Sequence, residues 1–259
     1  MSVQPGRPLL SVRGVSKRFG YVEALRDIDL DVPSGCVTAV LGDNGAGKST
    51  LLKIISGVLQ PDSGEIRFDS RRVNFSSPKL ANDLGIQAVY QDLALCDNLS
   101  ILLNIFLGRE RRRITIPCLG GLLAFDVMQD EAARLLAELA IELPPLSTEV
   151  SSLSGGQRQA VAIARALLWG SRLVLLDEPT AALGSAQTDR LRRLIRTLTD
   201  QGVAVLLITH NLVEAFLVAD RFVVMRRGKI AAVLDAGLVS SQDLLDAMTG
   251  DPGDARDRQ

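Results

Sequence analysis

This 259-residue chain lacks several features that would point to common functions. No apolar run approaches the ~18 residues that a membrane span needs, although 47% of the residues are hydrophobic and mean hydropathy is +0.20. The expectation is a chain soluble by itself that could still attach to a membrane partner. Neither charge sign is in excess: 29 basic and 30 acidic residues leave a net charge of −1, which gives no electrostatic footprint for nucleic acid. Arg111 to Arg113 and the pairs at Arg71, Arg192 and Arg226 are scattered and read as solvated surface. The three cysteines, Cys36, Cys96 and Cys118, are odd in number and match no metal or redox spacing. Together with an N-terminus, MSVQPGRP, that has no apolar stretch, they suggest a reducing, cytosolic compartment. Low-complexity segments and internal repeats are absent, and His210 is the one histidine.

What is present reads as one large domain or two small ones, with ample chain for a core. Leu9 to Val32 alternates in short apolar bursts, as antiparallel strands do. CVTAVL at Cys36 and VAVLLI at Val203 are continuous apolar runs, the mark of strands buried on both faces. GEIRFDS with RRVNF reads as a hairpin, SPKLANDLG as a short helix and IQAVYQ as a strand. From about Asp92 to Gly170 the pattern is mostly helical, with Met128, Ala132, Leu135, Leu136 and Leu139 in one stripe. Within it RRRITIPCLGGLLAF is expected to be loop. LVLLDEP then reads as a buried strand, Leu191, Leu194, Ile195 and Leu198 stripe a helix, FVVMRRGKIAAVL forms a hairpin and SQDLLDAMTG a last helix. Strands alternating with helices on both sides of the middle block argue for a parallel α/β sheet. The expected layout is one domain over 1–250: core and β lobe from 9–91 and 171–250, an inserted helical subdomain at about 92–170, and a polar tail at 251–259.

GDNGAGKST, Gly42 to Thr50, fits the phosphate-loop pattern, expected by chance in about one chain in a hundred of this length. The glycines let backbone N–H groups form a nest around phosphate oxygens, Lys48 reaches the outer phosphates, and the Ser49 hydroxyl suits Mg²⁺. A plain Gly-rich turn is the rival, but a strand before and a helix after supply the required context. LVLLDEP ends in Asp177 and Glu178, facing opposite ways on a strand at the carboxyl edge where parallel sheets bind ligands. Asp177 suits Mg²⁺ and Glu178 the attacking water; N-capping of the next helix is an equal rival. His210 and Gln91 end strands at the same edge. Phe19 is either a strand-end aromatic or a face for adenine, a stacking contact of ~1–3 kcal/mol.

A second anion site is written into SSLSGGQRQAVAIARAL. Ser154 sits where an N-cap would, Gly155 and Gly156 leave the first N–H groups of a helix uncovered, and Ala160, Ile163, Ala164 and Leu167 repeat at helical spacing. Orphan N–H groups and the dipole make such an end attractive to anions. One chain therefore carries two phosphate-binding devices roughly a hundred residues apart.

In this order GDNGAGKST, Gln91, LSGGQ, LVLLDEP and ITH resemble the nucleotide-binding subunits of ABC transporters, over about Leu9 to Gly250. The resemblance implies a P-loop NTPase (RecA-like) α/β core with an N-terminal antiparallel β lobe and an inserted α-helical signature subdomain. It implies ATP and Mg²⁺ as cofactors, Phe19 as the adenine-stacking aromatic and Gly42, Asp43, Asn44, Gly45, Ala46, Gly47, Lys48, Ser49 and Thr50 as the phosphate loop. Gln91 is then the Q-loop glutamine, Asp177 the Mg²⁺ aspartate, Glu178 the catalytic carboxylate and His210 the switch histidine. Ser49, Gln91 and Asp177 form the metal set. Leu153, Ser154, Gly155, Gly156 and Gln157 are the signature, capping ATP held by a second copy in a head-to-tail dimer.

VYQDLALCDNLSILLNIFLGRE and DEPTAALG are similar to ATP-binding subunits of bacterial monosaccharide importers of the ribose, fructose and xylose type. Many of those have two ATPase halves; this chain carries one. AALG puts Gly184 where most ABC ATPases have an aspartate that touches the partner subunit, and the glycine is similar to the monosaccharide subclass. The implied partners are membrane permease subunits and, indirectly, a periplasmic sugar-binding protein, with the chain peripheral on the cytoplasmic face of the inner membrane. The alternative is the ATPase of an exporter or of an importer for another small solute. A non-transport ABC protein acting on DNA or ribosomes is disfavoured by the lack of tandem halves or long coiled-coil inserts.

Overall fold

A computed structural model describes residues 8–116, 120–168, 170–180 and 184–250. Cys118, the tail 251–259 and residues 181–183 of AALG lie outside the described residues. The chain divides into two compact units: Met1–Ala88 with Arg172–Glu178 and Ile195–Gln259, and Val89–Ser171 with Pro179–Leu194.

The first unit holds two sheets. Strands β1 (Leu10–Phe19) and β2 (Val22–Val32) pair antiparallel, and β1 pairs on its other side with β4 (Ser63–Phe68), which turns into β5 (Arg71–Val73). Leu10, Val12, Val15, Leu25, Ile28, Leu30 and Val32 are buried there. Arg13 bridges the β1–β2 pair by donating to both carboxylate oxygens of Asp31, at 2.6 and 2.7 Å. Both side chains are exposed, so this pair adds at most ~1 kcal/mol.

The larger sheet runs β12-β11-β3-β10-β9-β6. Its members are β3 (Val37–Leu41), β6 (Ile86–Val89), β9 (Leu173–Asp177), β10 (Ala204–Ile208), β11 (Arg221–Arg226) and β12 (Lys229–Asp235). β3 is parallel to β10 and β11, β10 is parallel to β9, and β12 pairs antiparallel with β11. Every residue of β3 and β10 is buried, Thr38 included, as in a sheet covered on both faces. Helices α1 (Lys48–Ile55), α2 (Pro78–Asp83), α7 (Leu212–Val218) and α8 (Ser241–Thr249) belong to this unit. Ser77, with Pro78 at the first helical position, starts α2; the Asn211 carboxamide starts α7. Helix α6 (Ser185–Asp200) spans the division in the chain; it begins seven residues after Glu178, so neither Asp177 nor Glu178 caps it.

In the second unit α3 (Ile101–Phe106), α4 (Phe125–Glu138) and α5 (Gly155–Leu167) pack around Ile101, Ile105, Phe106, Met128, Ala132, Leu136, Val150, Leu153, Val161 and Ala164. The Met128 stripe thus becomes a core, each large side chain contributing about 1.5–3 kcal/mol by burial. The expected loop at 111–125 is corrected: β7 (Arg112–Ile116) and β8 (Gly120–Leu123) pair antiparallel. The Ala124 N–H closes on the Arg111 carbonyl at 2.8 Å, and Arg111 reaches Glu131 and Arg113 reaches Asp126 on α4. The block from Asp92 to Gly170 is also less helical than its composition suggests, since nothing between Gln91 and Ser100 is helix.

Candidate functional site

The phosphate loop joins β3 to α1, and its shape depends on two glycines. Gly42 has φ +151°, and a Cβ there would stand 2.2 Å from the Met225 carbonyl oxygen of β11. Gly47 has φ +104°, and its Cβ would stand 2.6 Å from the Ala24 carbonyl oxygen of β2. The loop therefore lies against two neighbouring strands at distances no other residue permits. The Gly228 N–H donates to the Ala46 carbonyl at 3.1 Å and the Arg26 N–H to the Gly228 carbonyl at 2.7 Å, tying loop, β11–β12 turn and β2 together. No side chain caps α1, whose N-cap is Gly47, so its first turn presents N–H groups and the positive dipole end to the loop.

Lys48 is buried and donates from Nζ to the carbonyls of Gly42 at 2.6 Å and Asp43 at 2.9 Å, spanning the loop. Burial pulls its pKa below the ordinary lysine value, opposed by the carboxylates of Glu178, Asp177 and Asp43. At the end of β9, Asp177 is pushed the other way: burial raises its pKa, Glu178 raises it further, and Lys48, Lys53 and a hydrogen bond from Ser49 offset part of the rise. Ser49 and Asp177, picked from motifs some 130 positions apart, are thus in contact.

The register Ile208↔Asp177 between β10 and β9 sets Glu178 and His210 side by side just past the paired ends. Glu178 is not a strand residue, as alternation implied. Its φ is +48°, and its N–H donates to the Ile208 carbonyl at 2.8 Å. A left-handed non-glycine residue stores about 1–3 kcal/mol and persists only where its surroundings hold it. The turned carboxylate meets Nδ1 of His210 at 2.8 Å; because a carboxylate only accepts, Nδ1 carries the hydrogen. The His210 side chain is 61% exposed and that of Glu178 only 18%, so the imidazole is the outer member of the pair. His210 lies two residues beyond β10, whereas strand-end placement was expected.

Phe19 ends β1 with an exposed ring, and Nζ of Lys17 lies 5.8 Å from its centroid. The structure thus brings Gly42 to Thr50, Asp177, Glu178 and His210 together in one unit, while Gln91 and Leu153 to Gln157 belong to the other. Gln91 is exposed and follows β6 by two residues rather than ending it.

The signature helix is less bare than expected. The Ser154 hydroxyl accepts from the Gln157 N–H at 3.4 Å, and Gln157 Oε1 accepts from the Ser154 N–H at 3.0 Å, a reciprocal capping box. This covers the third N–H, leaving those of Gly155 and Gly156 as the ones a Cβ-free surface exposes. The S-x-x-Q spacing was the available signal. Met225 and Ala24, whose carbonyls bound the phosphate loop, carried no signal, because they act through backbone.

The ABC transporter family model matches residues 25–181. The chain is 47% identical to the xylose/arabinose import ATP-binding protein of Sulfolobus acidocaldarius, over 86% of each chain. It is 43% identical to the fructose import ATP-binding protein of Rhizobium meliloti, over 94% of each. Against the ribose import ATP-binding protein RbsA 3 of Rubrobacter xylanophilus it is 44% identical, covering 94% of this chain and 48% of that one. The fold is similar to that of cbiO1 from Clostridium perfringens, part of the ABC transporter complex cbiONQ (TM-score 0.76, 28% identity, 92% of each chain). It is also similar to the dimeric structure of MJ0796, a bacterial ABC transporter cassette (TM-score 0.74, 26% identity, 88% of this chain and 98% of that one).

A phosphate loop on a parallel sheet, with an acidic pair at the edge of the neighbouring strands, defines a P-loop nucleotide-binding ATPase. Within that class the chain belongs to the ABC transporter family.

Proposed function

We propose that this chain is the ATP-hydrolysing subunit of an importer that energises uptake of a monosaccharide through a separate permease. The hydrolytic part rests above all on Glu178, turned back at φ +48° onto His210 at the sheet edge where Asp177 meets Ser49. The sugar part rests on the relatives named for xylose/arabinose, fructose and ribose import. No helix among the described residues is long and apolar enough to cross a membrane, so a transport role calls for partner subunits that do, with this chain peripheral on the cytoplasmic face. A periplasmic binding protein would deliver the sugar.

In this reading the phosphate-loop N–H groups and Lys48 hold the β- and γ-phosphates, and Phe19 stacks on adenine. Glu178 takes the proton of the attacking water, and His210 holds the γ-phosphate. Mg²⁺ fits the donor set: a hydroxyl and a half-buried carboxylate in contact, both hard oxygen donors, with a second carboxylate alongside. No group of three or more His, Cys, Asp and Glu among the described residues could hold a metal alone. That suits an ion bound through one or two protein ligands and the substrate's phosphates. Ser49 and Asp177 would hold it, and the ion would neutralise charge on the transferred phosphoryl group.

Leu153 to Gln157 would cap the γ-phosphate of ATP bound to a second copy, which explains two phosphate devices in one chain. The test is reconstitution in vesicles with a candidate permease and sugar-binding protein, followed by ATP hydrolysis across a panel of pentoses and hexoses. Stimulation by one monosaccharide supports import. Stimulation only by a substrate supplied from the ATP side would assign an exporter instead.

A further inference from the structure

Helix α5 carries more than the signature at its start. Ser154, Arg158 and Arg165 fall at i, i+4 and i+11, along one face of the helix. Both arginines reach the irregular segment that follows Gln91. Arg165 donates from Nη2 to the Leu93 carbonyl and from Nη1 to the Ala94 carbonyl, each at 2.8 Å. Arg158 donates to Asp97 Oδ1 at 2.8 Å and to the Ser151 carbonyl at 3.4 Å.

The same segment is held from α3. Asn104, fully buried, accepts from the Cys96 N–H at 2.8 Å and donates to the carbonyls of Cys96, Leu99 and Ser100 at 2.9, 3.2 and 3.1 Å. Backbone bonds from Ser151 N–H to the Asp97 carbonyl and from Val150 N–H to the Leu99 carbonyl, each 3.0 Å, close the circuit just before the signature.

Arg165 is the unusual member. It is half-buried, and among the described residues it has no carboxylate partner. Burial pulls its pKa below the ordinary arginine value. A guanidinium taken partly out of water to bind two neutral carbonyls costs more than a packed apolar side chain would. What it supplies is a planar fork that fixes two successive carbonyls at once. The turn it grips is strained: Ala94 sits at φ +49°, with its N–H on Asp92 Oδ1 at 3.3 Å.

We propose that Arg165 is a positioning residue that locks the turn after Gln91 to the signature helix, so that Gln91 and Ser154 move as one rigid piece. The proposal rests on the roles given to Gln91 and Ser154 above. Engagement of Ser154 with a partner's nucleotide would then be felt at Gln91 of the same chain, and the reverse, without a signal having to cross a flexible loop.

The test uses the full chain in the reconstituted transporter, with Arg165→Gln, Arg165→Lys, Gln91→Ala and the Gln91→Ala/Arg165→Gln double variant. Arg165→Gln should lower the rate at saturating ATP about tenfold and leave KM for ATP within twofold, because Lys48 and the phosphate loop are untouched. Amide exchange should rise over Asp92 to Cys96 and stay unchanged in α1. Arg165→Lys keeps the charge but not the fork, and should fall between wild type and Arg165→Gln; it also serves if Arg165→Gln does not fold. Added to Gln91→Ala, Arg165→Gln should cost little more. If Gln91→Ala slows hydrolysis and the two losses multiply, Arg165 acts elsewhere and only this proposal falls. Unchanged exchange over Asp92 to Cys96 overturns it equally. If Gln91→Ala hydrolyses ATP at the wild-type rate, the role given to Gln91 fails and the proposal falls with it.

Discussion

Oε1 of Glu178 and Nδ1 of His210 lie 2.8 Å apart, joined across the ends of two parallel strands whose last paired residues are Asp177 and Ile208. The contact depends on the left-handed turn at Glu178 and leaves the carboxylate mostly buried with the imidazole outside it. A base held this way is aimed rather than free. Glu178→Gln keeps the shape and the contact to His210 but cannot accept a proton. Turnover should fall ~10²–10⁴-fold, the usual loss for a general base, while ATP affinity stays within a few-fold. A variant that keeps more than about a tenth of the wild-type rate in the assembled complex would remove Glu178 from that role.

His210→Ala tests the outer member. If the imidazole meets the γ-phosphate, its removal should cost about 3 kcal/mol in the rate, the scale of one preorganised donor. ADP, which lacks that phosphate, should bind as before. Equal loss of ADP binding, read by calorimetry, would place His210 in general nucleotide binding or in holding Glu178 in shape.

Much of this arrangement was legible in the sequence because burial writes itself into composition. AVLLI is apolar throughout and VTAVL is broken only by Thr38, since both faces of β3 and β10 are covered, and the helix stripes follow from one-sided packing. The β7–β8 hairpin was not legible: its strands are five and four residues long, and Arg111 and Arg113 find their partners on α4. Such pairings span 13 and 20 positions and leave no periodicity. Glu178 shows the same limit at the site. Its residue type named the chemistry, but only the Ile208 carbonyl and the neighbouring strand decide that its backbone turns left-handed.

The charge balance around Asp177 makes a pH-dependent prediction. Its pKa is raised in the folded chain, chiefly by burial and then by Glu178, whereas the unfolded carboxyl titrates at about 3.9. Between those two values the unfolded chain has released a proton that the folded chain still binds, so stability falls as pH rises through this window. Asp177→Asn has no such loss. Without nucleotide it should melt at a higher temperature than the parent, with the gap growing from acid pH and levelling above the raised pKa. It should also lose Mg²⁺-dependent ATP binding. Melting curves that stay parallel from acid to neutral pH would mean that the half-buried carboxylate carries no electrostatic strain.

The capping box at Ser154 allows its two tasks to be separated. As a cap, the hydroxyl stabilises α5, and Ser154→Ala should destabilise the chain by about 1 kcal/mol while leaving the Gly155 and Gly156 N–H groups open. As an anion site, the helix end needs those groups uncovered, and Ser154→Arg puts a bulky cation over them. If they serve ATP bound to a second copy, Ser154→Arg should leave ATP affinity of the monomer unchanged, since Lys48 and the phosphate loop remain, and should abolish hydrolysis. Ser154→Ala should keep more of that hydrolysis than Ser154→Arg despite its lower stability. Rate per chain of the unmutated protein should rise with concentration until dimers saturate. Three titrations decide it: ATP affinity of the Ser154→Arg monomer, rates of the two variants at equal dimer concentration, and rate per chain against concentration for the parent. Weakened monomer binding together with a flat concentration curve would mean that the signature serves its own chain, and the two-copy site would be wrong.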